Sequence, residues 1–462
     1  MNFPDAQASH GTDPTVNVLP EVLSTIFEIV LNYSDEIKQK LNLGAVCSRW
    51  RQIISSPVFW TTFSVRFESY KQEPDHLELL KLHIANSKDC AMTFKILGLD
   101  DCDTRIHDEV FQRIFSNGHA GIRGLELQDM ETSVWEYIVH RSRSSNFSQL
   151  EHLSLPSFDD PMNHLLLWFS KMPLLRKLAL NAPRFDPHII PSLNKITSLT
   201  IKCVPSDHAL YFLSLCPSLG EFQVSGYSPR PYLKEFVPPS PLTKDIVFPH
   251  LTHFTWRQGT TASQYLTAKT AFIRHMHFPA LRHLYWDCDF ALPGTWNIWS
   301  AFFMDLSALT HVVLSTETPD VSSKMVELFS SRPVEELSVM LCSLEDFKTC
   351  VRILTCLPDN KSPPYPSLHT LKFRLSLSFW EPHSHELPGI LDPIIEMLQS
   401  RNSPAVPSEC AMIQCFNFRF MNMFETFFRT WAATKRLVAL KALHDGGLEF
   451  EGWEPPEMAD TY

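Results

Sequence analysis

A short apolar phrase recurs along most of the chain and constrains the fold more than any other feature. It reads apolar-x-x-apolar-x-apolar and returns about once every 27 residues, a period typical of repeated structural units. Its last two apolar positions are two residues apart, so they lie on one face of a strand, and the first lies at the bend that leads into it. The ten phrases begin at Ile122, Leu150, Leu175, Ile196, Leu219, Leu251, Leu281, Leu309, Val334 and Leu368.

The stretches between the phrases have helical patterns and are long enough for crossover connections, so we expect consecutive strands to be parallel. An ordinary α/β domain whose strands happen to contain Leu-x-Leu stays open as the alternative, because the interval between phrases varies. The predicted helices are Trp135 to His140, Asn163 to Ser170, His208 to Cys216, Lys324 to Ser330 and Leu344 to Leu354.

Both ends of the repeated region have recognisable elements. Residues 64–100 predict a linker helix over Glu78 to Ala85 and a first strand over Met92 to Leu97. At the other end, Phe424 to Leu443 reads as an amphipathic helix, followed by a final strand at Leu448 to Phe450. We expect residues 1–15 and 451–462 to be a disordered leader and tail.

Two proline-rich insertions interrupt the pattern, Ser228 to Pro249 and Asp359 to Pro366. Proline removes a backbone donor and disfavours regular structure, so both insertions are predicted to be surface loops.

Residues 16–63 predict three short helices. Val22, Leu23, Ile26, Phe27 and Val30 fall at helical spacing on one face. A second apolar run ends at Trp50, and a third short helix ends before Pro57. About fifty residues make only a small core, so we expect an exposed apolar remainder that a partner covers.

Three blocks in this region carry a family resemblance: residues 19–27 (LPEVLSTIF), residues 43–53 (LGAVCSRWRQI) and residues 57–60 (PVFW). Their order and spacing resemble an F-box in the style abundant in mushroom-forming fungi. In one departure, Pro20 directly precedes Glu21, where the family usually has Leu-Pro-x-Glu. The resemblance implies binding to the Skp linker protein of a cullin-RING ligase. The matching positions are Leu19, Pro20, Leu23, Ile26, Phe27, Val46, Cys47, Trp50, Pro57 and Trp60.

The same positions have a second interpretation, in which some of them, especially Ile26, Val46 and Trp50, simply pack the three-helix core.

The repeated phrase resembles the array of leucine-rich F-box proteins, although the usual Asn after the strand is mostly missing. The expected fold is therefore α/β, with an N-terminal three-helix F-box followed by an irregular leucine-rich-repeat solenoid of parallel strands with intervening helices over residues 101–450. The resemblance implies a substrate-recognition adaptor of an SCF-type ubiquitin ligase, linked to cullin through the Skp linker. A scaffold that acts in protein interaction outside a ligase is the alternative.

The middle of the chain is rich in tryptophan. Trp256 and Trp286 occupy predicted strand positions and are expected to be buried. Trp296 and Trp299 are candidate anchors for the unknown protein substrate, because tryptophan is enriched at binding hot spots.

The sequence offers little for catalysis. No nucleotide-binding or hydrolase motif occurs, and 14 glycines are too few for phosphate-binding loops, so we predict no enzyme, no cofactor and no metal. His275 and His277 with His283 and Cys288, and the run His383 to Glu386, resemble metal ligands but match no known spacing. A cryptic hydrolase at His275 and His277 is the enzymatic alternative.

Charge and cysteine content limit the remaining options. A net charge of −11 works against nucleic-acid or membrane-surface binding, because both need a positive surface. Eleven cysteines without a C-x-x-C pair fit a reducing compartment. We therefore expect a cytoplasmic or nuclear protein, or both.

Overall fold

The computed structural model describes the chain in segments that fall into two compact units, residues 1–190 and 191–462. The described residues are 15, 17–32, 37–66, 73–97, 108–116, 121–128, 147–156, 172–181, 193–204, 206–226, 245–257, 273–287, 296–315, 320–341, 343–357, 363–375, 387–403, 410–419 and 435–450.

The first unit begins with a small helical region. It contains α1 (Pro20–Asn32), α2 (Ile37–Val46), α3 (Ser48–Ile54) and a 3-10 helix (Pro57–Trp60). Phe27, Leu31, Ile54, Phe59 and Trp60 form its buried core. The third helix ends before Pro57, as predicted.

The second apolar run, from Leu43 to Trp50, does not form one continuous helix. The chain breaks at Cys47, whose backbone is extended and whose sulfur accepts a hydrogen bond from the Trp50 N–H at 3.4 Å. Cys47 is therefore the N-cap of α3. Thr15, predicted to belong to a disordered leader, accepts a hydrogen bond from Trp50 Nε1 at 2.9 Å.

The rest of the first unit alternates strands and helices. Its described elements are β1 (Thr62–Arg66), α4 (Glu73–Ser87), β2 (Met92–Leu97), α5 (Asp108–Ser116), β3 (Ile122–Gln128), a 3-10 helix (Phe147–Gln149), β4 (His152–Leu155) and β5 (Lys177–Asn181). The five strands pair in chain order and all pairs are parallel.

The second unit continues the strand-rich pattern within its own boundaries. Its described elements are β6 (Ser198–Lys202), α6 (Ser206–Ser214), β7 (Glu221–Ser225), β8 (Ile246–Val247), β9 (His253–Arg257), β10 (Met276–His277), β11 (His283–Asp287), α7 (Trp296–Asp305), β12 (His311–Ser315), α8 (Val321–Phe329), β13 (Glu336–Leu341), α9 (Leu344–Leu354), β14 (Thr370–Leu375), α10 (Leu387–Asn402), β15 (Cys415–Arg419), α11 (Lys435–Asp445) and β16 (Glu449–Phe450). The main sheet has the order β6-β7-β9-β11-β12-β13-β14-β15-β16, again parallel, and β8 pairs separately with β10.

A recurring backbone turn sets the register of these strands. Leu281 N–H donates to Phe278 O at 3.2 Å, and then Arg282 and His283 N–H both donate to Thr252 O of the preceding strand segment. The same pattern returns one strand later, where Thr310 and His311 N–H donate to Arg282 O. The strands that begin with this turn, β5, β7, β9 and β11 to β15, therefore start at a fixed offset from their neighbours, and the alternation that buries every second side chain stays aligned.

The strand predictions are confirmed, because each of the ten phrases lies on or immediately before a parallel strand. Trp256 and Trp286 are buried, as predicted, and their rings stack with centroids 6.0 Å apart. The helix over Leu344–Leu354 is confirmed, and those near residues 208 and 324 are confirmed with shifted ends. The helices predicted at 135–140 and 163–170 lie outside the described residues.

Terminal elements agree in part with the predictions. The strand at Met92–Leu97 is confirmed, the linker helix is longer than predicted, and a final strand forms at Glu449–Phe450. The predicted helix from Phe424 is described only from Lys435, and the tail 451–462 lies outside the described residues.

The two proline-rich insertions are not purely surface loops. Ile246–Val247 forms a strand with Met276–His277, and Phe248 is buried. In the second insertion, the Tyr365 side chain is buried and its hydroxyl donates to Val326 O. Tertiary packing therefore places some residues of these insertions in a strand or in the buried core, although the local sequence predicts loops.

Candidate functional site

One face of α1, together with Leu19 directly before the helix, carries exposed apolar side chains. Leu19, Val22, Ile26, Ile29 and Val30 are all exposed, and we call them the α1 stripe. At about 100° per residue, these positions cover one sector of the helix, and the buried residues Leu23, Phe27 and Leu31 cover the adjacent sector. The apolar part of α1 is thus about twice as wide as the core of the domain uses.

The buried side of α1 is held firmly. Phe27 lies edge-on to Trp50 with ring centroids 4.8 Å apart, and Trp60 Nε1 donates to Ile54 O at 2.7 Å. Arg49 donates to the carbonyls of Thr15 and Val18, which fixes the segment entering α1. The α1 stripe is therefore presented by a rigid support.

Helix α4 closes the other side of this core. His83 Nδ1 lies 3.2 Å from Trp60 O, and its ring contacts Trp60 and Phe63 edge-on. Burial lowers the pKa of His83 to about 4, and the nearby charge of Lys40 acts in the same direction. The imidazole is therefore neutral at physiological pH.

The structure divides the ten predicted Skp-linker contacts into three groups. Leu23, Phe27 and Trp60 are buried in the core of the domain, so they support the surface and do not form it. Trp50, Cys47 and Pro57 are half-buried. The exposed positions are Leu19, Pro20, Ile26 and Val46.

Two of the core interpretations are wrong. Ile26 and Val46 are 44% and 61% exposed, so they do not pack the three-helix core. Three further apolar residues are exposed that the sequence patterns did not indicate as contacts: Ile29, Leu41 and Val58. For Ile29 the signal was available, because it follows Val22 and Ile26 at helical spacing.

In the second unit, the polar face of the sheet carries a row of three histidines. His253 and His283 stack with ring centroids 4.1 Å apart, and His283 and His311 stack at 4.2 Å. Glu221 and Glu336 pair in register with the outer two histidines. Sequence reasoning missed this row, although each histidine occupies the same position of its phrase.

The histidine row and its surroundings are electrostatically coupled. Burial lowers the pKa of His283, and the neighbouring His253, His311 and Arg282 add to this effect. Further along the same two strands, the Arg257 guanidinium lies 3.9 Å from the centre of the Tyr285 ring. This face therefore combines stacked rings with a cation held over an aromatic ring.

The two predicted tryptophan anchors differ in exposure. Trp299 is 1% exposed and packs against Trp286 and Phe303, so it cannot contact a partner in this structure. The prediction fails for Trp299 because residues 296–305 form helix α7, whose inner face includes it. Trp296 is half-buried and stays a candidate.

The histidines considered as metal ligands do not converge. His275 Nδ1 lies 2.8 Å from Asp245, and His277 Nδ1 lies 2.8 Å from Asp305. His283 belongs to the stacked row, whereas Cys288 and the run 383–386 lie outside the described residues. Among the described residues, no group of three or more His, Cys, Asp or Glu side chains is placed to hold a metal ion.

A small helical domain with an exposed apolar stripe on a rigid core has the form of a protein-interaction module. Residues 20–66 match the family model described as F-box-like, and the chain therefore carries an F-box-like domain. The match confirms that this region resembles an F-box and extends to β1. No match was found among curated proteins. Within the described ranges, none of the helices combines the length and the apolar character needed to cross a membrane.

Proposed function

We propose that this protein is the substrate-recognition adaptor of an SCF-type ubiquitin ligase, acting in the cytoplasm, the nucleus or both. Its F-box-like domain binds the Skp linker, which joins it to cullin, and its parallel-strand units bind the protein to be modified. The strand units form a leucine-rich-repeat array in this proposal. The adaptor performs no bond chemistry itself and works by raising the effective concentration of substrate near the charged ubiquitin enzyme.

The α1 stripe is the observation that carries this proposal. Four apolar side chains on α1, and that of Leu19 directly before it, are left uncovered by the domain that presents them. An apolar helix face of this kind binds by fitting into a complementary apolar groove on its partner. The F-box-like match supports the Skp linker as that partner.

The polar sheet face of the second unit supports the substrate-binding half of the proposal. Tyr285, with Arg257 over its ring, provides an amphipathic anchor of the type that dominates binding hot spots. The half-buried Trp296 is a second candidate anchor. We propose a protein substrate, because nothing in the composition favours nucleic acid or a membrane.

A charge placed on the α1 stripe tests the first half. In Ile26→Asp, a carboxylate must be buried against the apolar surface of the Skp linker, so we expect binding to weaken on the order of a hundredfold. Affinity is measured with the full chain and purified Skp linker, and circular dichroism checks the fold. Thr25→Asp is the matched control, because Thr25 is exposed next to Ile26 but lies on the polar side of α1.

Undiminished binding by folded Ile26→Asp would contradict the proposal, and equal losses in both variants would show a general charge effect. Co-purification with the Skp linker and cullin supports a ligase adaptor. Recovery of the linker without cullin favours the alternative, a scaffold outside the ligase.

A further inference from the structure

Two cysteines from distant parts of the second unit lie in contact. Cys356 follows α9 and Cys410 precedes β15, 54 residues later, yet their sulfur atoms are 3.5 Å apart. The two side chains are 6% and 8% exposed, whereas Cys216 and Cys350 are fully buried. A disulfide needs the two sulfur atoms to be about 2 Å apart, so a small side-chain movement would join them.

A buried arginine adjoins this pair. Arg401 lies on α10 and is fully buried. It donates to Leu354 O at 2.7 Å, to the carbonyls of Pro364 and Tyr365, and to Cys410 Sγ at 3.6 Å. In the described part of the chain, its partners are thus three carbonyls and one sulfur, and none of them is a carboxylate.

A buried guanidinium without a carboxylate partner favours a negative charge next to it. The Cys410 sulfur is the one group among its partners that can become an anion. The hydrogen bond with the Cys356 thiol and the charge of Arg401 lower the pKa of Cys410, although burial opposes them. The same hydrogen bond and burial raise the pKa of Cys356, which therefore keeps its proton.

We propose that Cys356 and Cys410 form a peroxide-sensitive redox site, in which Arg401 stabilises the reactive thiolate. The thiolate of Cys410 attacks hydrogen peroxide, giving a sulfenic acid and hydroxide. The Cys356 sulfur then attacks the sulfenic sulfur, forming the disulfide and releasing the sulfenic oxygen as water. Overall, two thiols and one peroxide give one disulfide and two waters, so two electrons pass from sulfur to oxygen.

The resulting disulfide would close a loop that contains β14 and α10. It would bind the segment after α9 covalently to the segment before β15. The function proposed above is not needed for this site, and the site would act on the stability and exposure of the last strands of the second unit.

Peptide mapping after peroxide treatment tests the proposal on the full chain. We expect a Cys356–Cys410 disulfide to form at pH 7, while Cys216 and Cys350 stay reduced in the same sample. In Arg401→Gln, the cation is lost and the thiolate population falls, so disulfide formation should slow about tenfold or more. Equal rates in the two proteins would overturn the role of Arg401.

The Cys356→Ser variant keeps the test decisive if Arg401→Gln does not fold. Without its resolving partner, Cys410 should accumulate as the sulfenic acid and react with dimedone. The exposed Cys90 is the internal reference for peroxide exposure. Oxidation of Cys90 without either a Cys356–Cys410 disulfide or dimedone labelling of Cys410 would overturn the proposal.

Discussion

His83 and His208 are titratable side chains that the fold buries in their neutral form, one in each unit. Burial lowers the pKa of each to about 4, and the Trp60 carbonyl opposes the shift at His83. Both folded-state values lie below the ordinary value of 6.5. The folded protein therefore binds these protons less readily than the unfolded chain does.

Acid should accordingly destabilise both units. The contribution of each histidine is fully present above about pH 6.5 and is lost as the pH falls towards 4, by about 3 kcal/mol for each group. We expect His83→Gln and His208→Gln to reduce this pH dependence of the urea midpoint between pH 7 and pH 4. His250→Gln, at an exposed position, is the control. An unchanged slope in both buried variants would contradict the assignment.

At the scale of elements, the pairing of β2 with β3 contains a β-bulge that Gly124 makes possible. Met92 pairs with Ile122 and Thr93 with Gly124, so Arg123 is an extra residue on β3. A Cβ at Gly124 would lie 2.7 Å from Thr93 Cγ2 and 2.8 Å from Thr93 Oγ1. Only a residue without a side chain fits opposite Thr93 at this bulge.

Gly124→Ala should therefore destabilise the protein by about 1 to 3 kcal/mol, the usual range for forced overpacking. Thr93→Ala removes both clashing atoms and should recover part of that loss in the double variant. The free energy of unfolding in urea, measured for the four members of the cycle, gives the coupling. If the changes in unfolding free energy of the two single variants simply add in the double variant, the alanine side chain at position 124 does not clash with Thr93, and the prediction is contradicted.

Some elements of the fold could be predicted from the sequence, and others depend on contacts that a local pattern does not contain. Strands were predictable because two apolar residues per phrase are enough to fix which face of a strand is buried. Helix α1 was predictable from the helical spacing of its apolar residues. That spacing could not show which of these residues would be buried in the core and which would be exposed. Cys47 breaks a helix through a local cap, and Tyr365 is buried by distant segments. The contact between Cys356 and Cys410 joins positions too far apart for any local pattern to indicate.

At the scale of the whole molecule, both units are built from strands that mainly contact their neighbours in the chain. In the repeat array proposed above, stability would be close to a sum of local terms and interfaces between adjacent repeats. A destabilising substitution in one strand should therefore affect that strand most and more distant strands progressively less, and it should not destabilise the whole unit evenly.

Leu314→Ala tests this expectation in the second unit. Leu314 is buried on β12, and truncating it should cost about 2 to 5 kcal/mol. We expect amide hydrogen exchange to rise most in β11, β12 and β13 and progressively less towards β6 and β16. Val313→Ala changes the opposite face of the same strand and should have a much smaller effect. Uniform loss of protection from β6 to β16 would contradict local coupling.

The repeated turn has a consequence for how such a chain tolerates change. The strands β5, β7, β9 and β11 to β15 are each aligned by two N–H groups that share one carbonyl of the preceding strand segment, whatever the length of chain between them. Insertions and deletions in the segments between strands can thus accumulate during evolution without changing which side chains are buried. One residue added between the turn and His283, the first residue of β11, would instead turn the Trp286 side chain towards solvent and the His283 side chain towards the core.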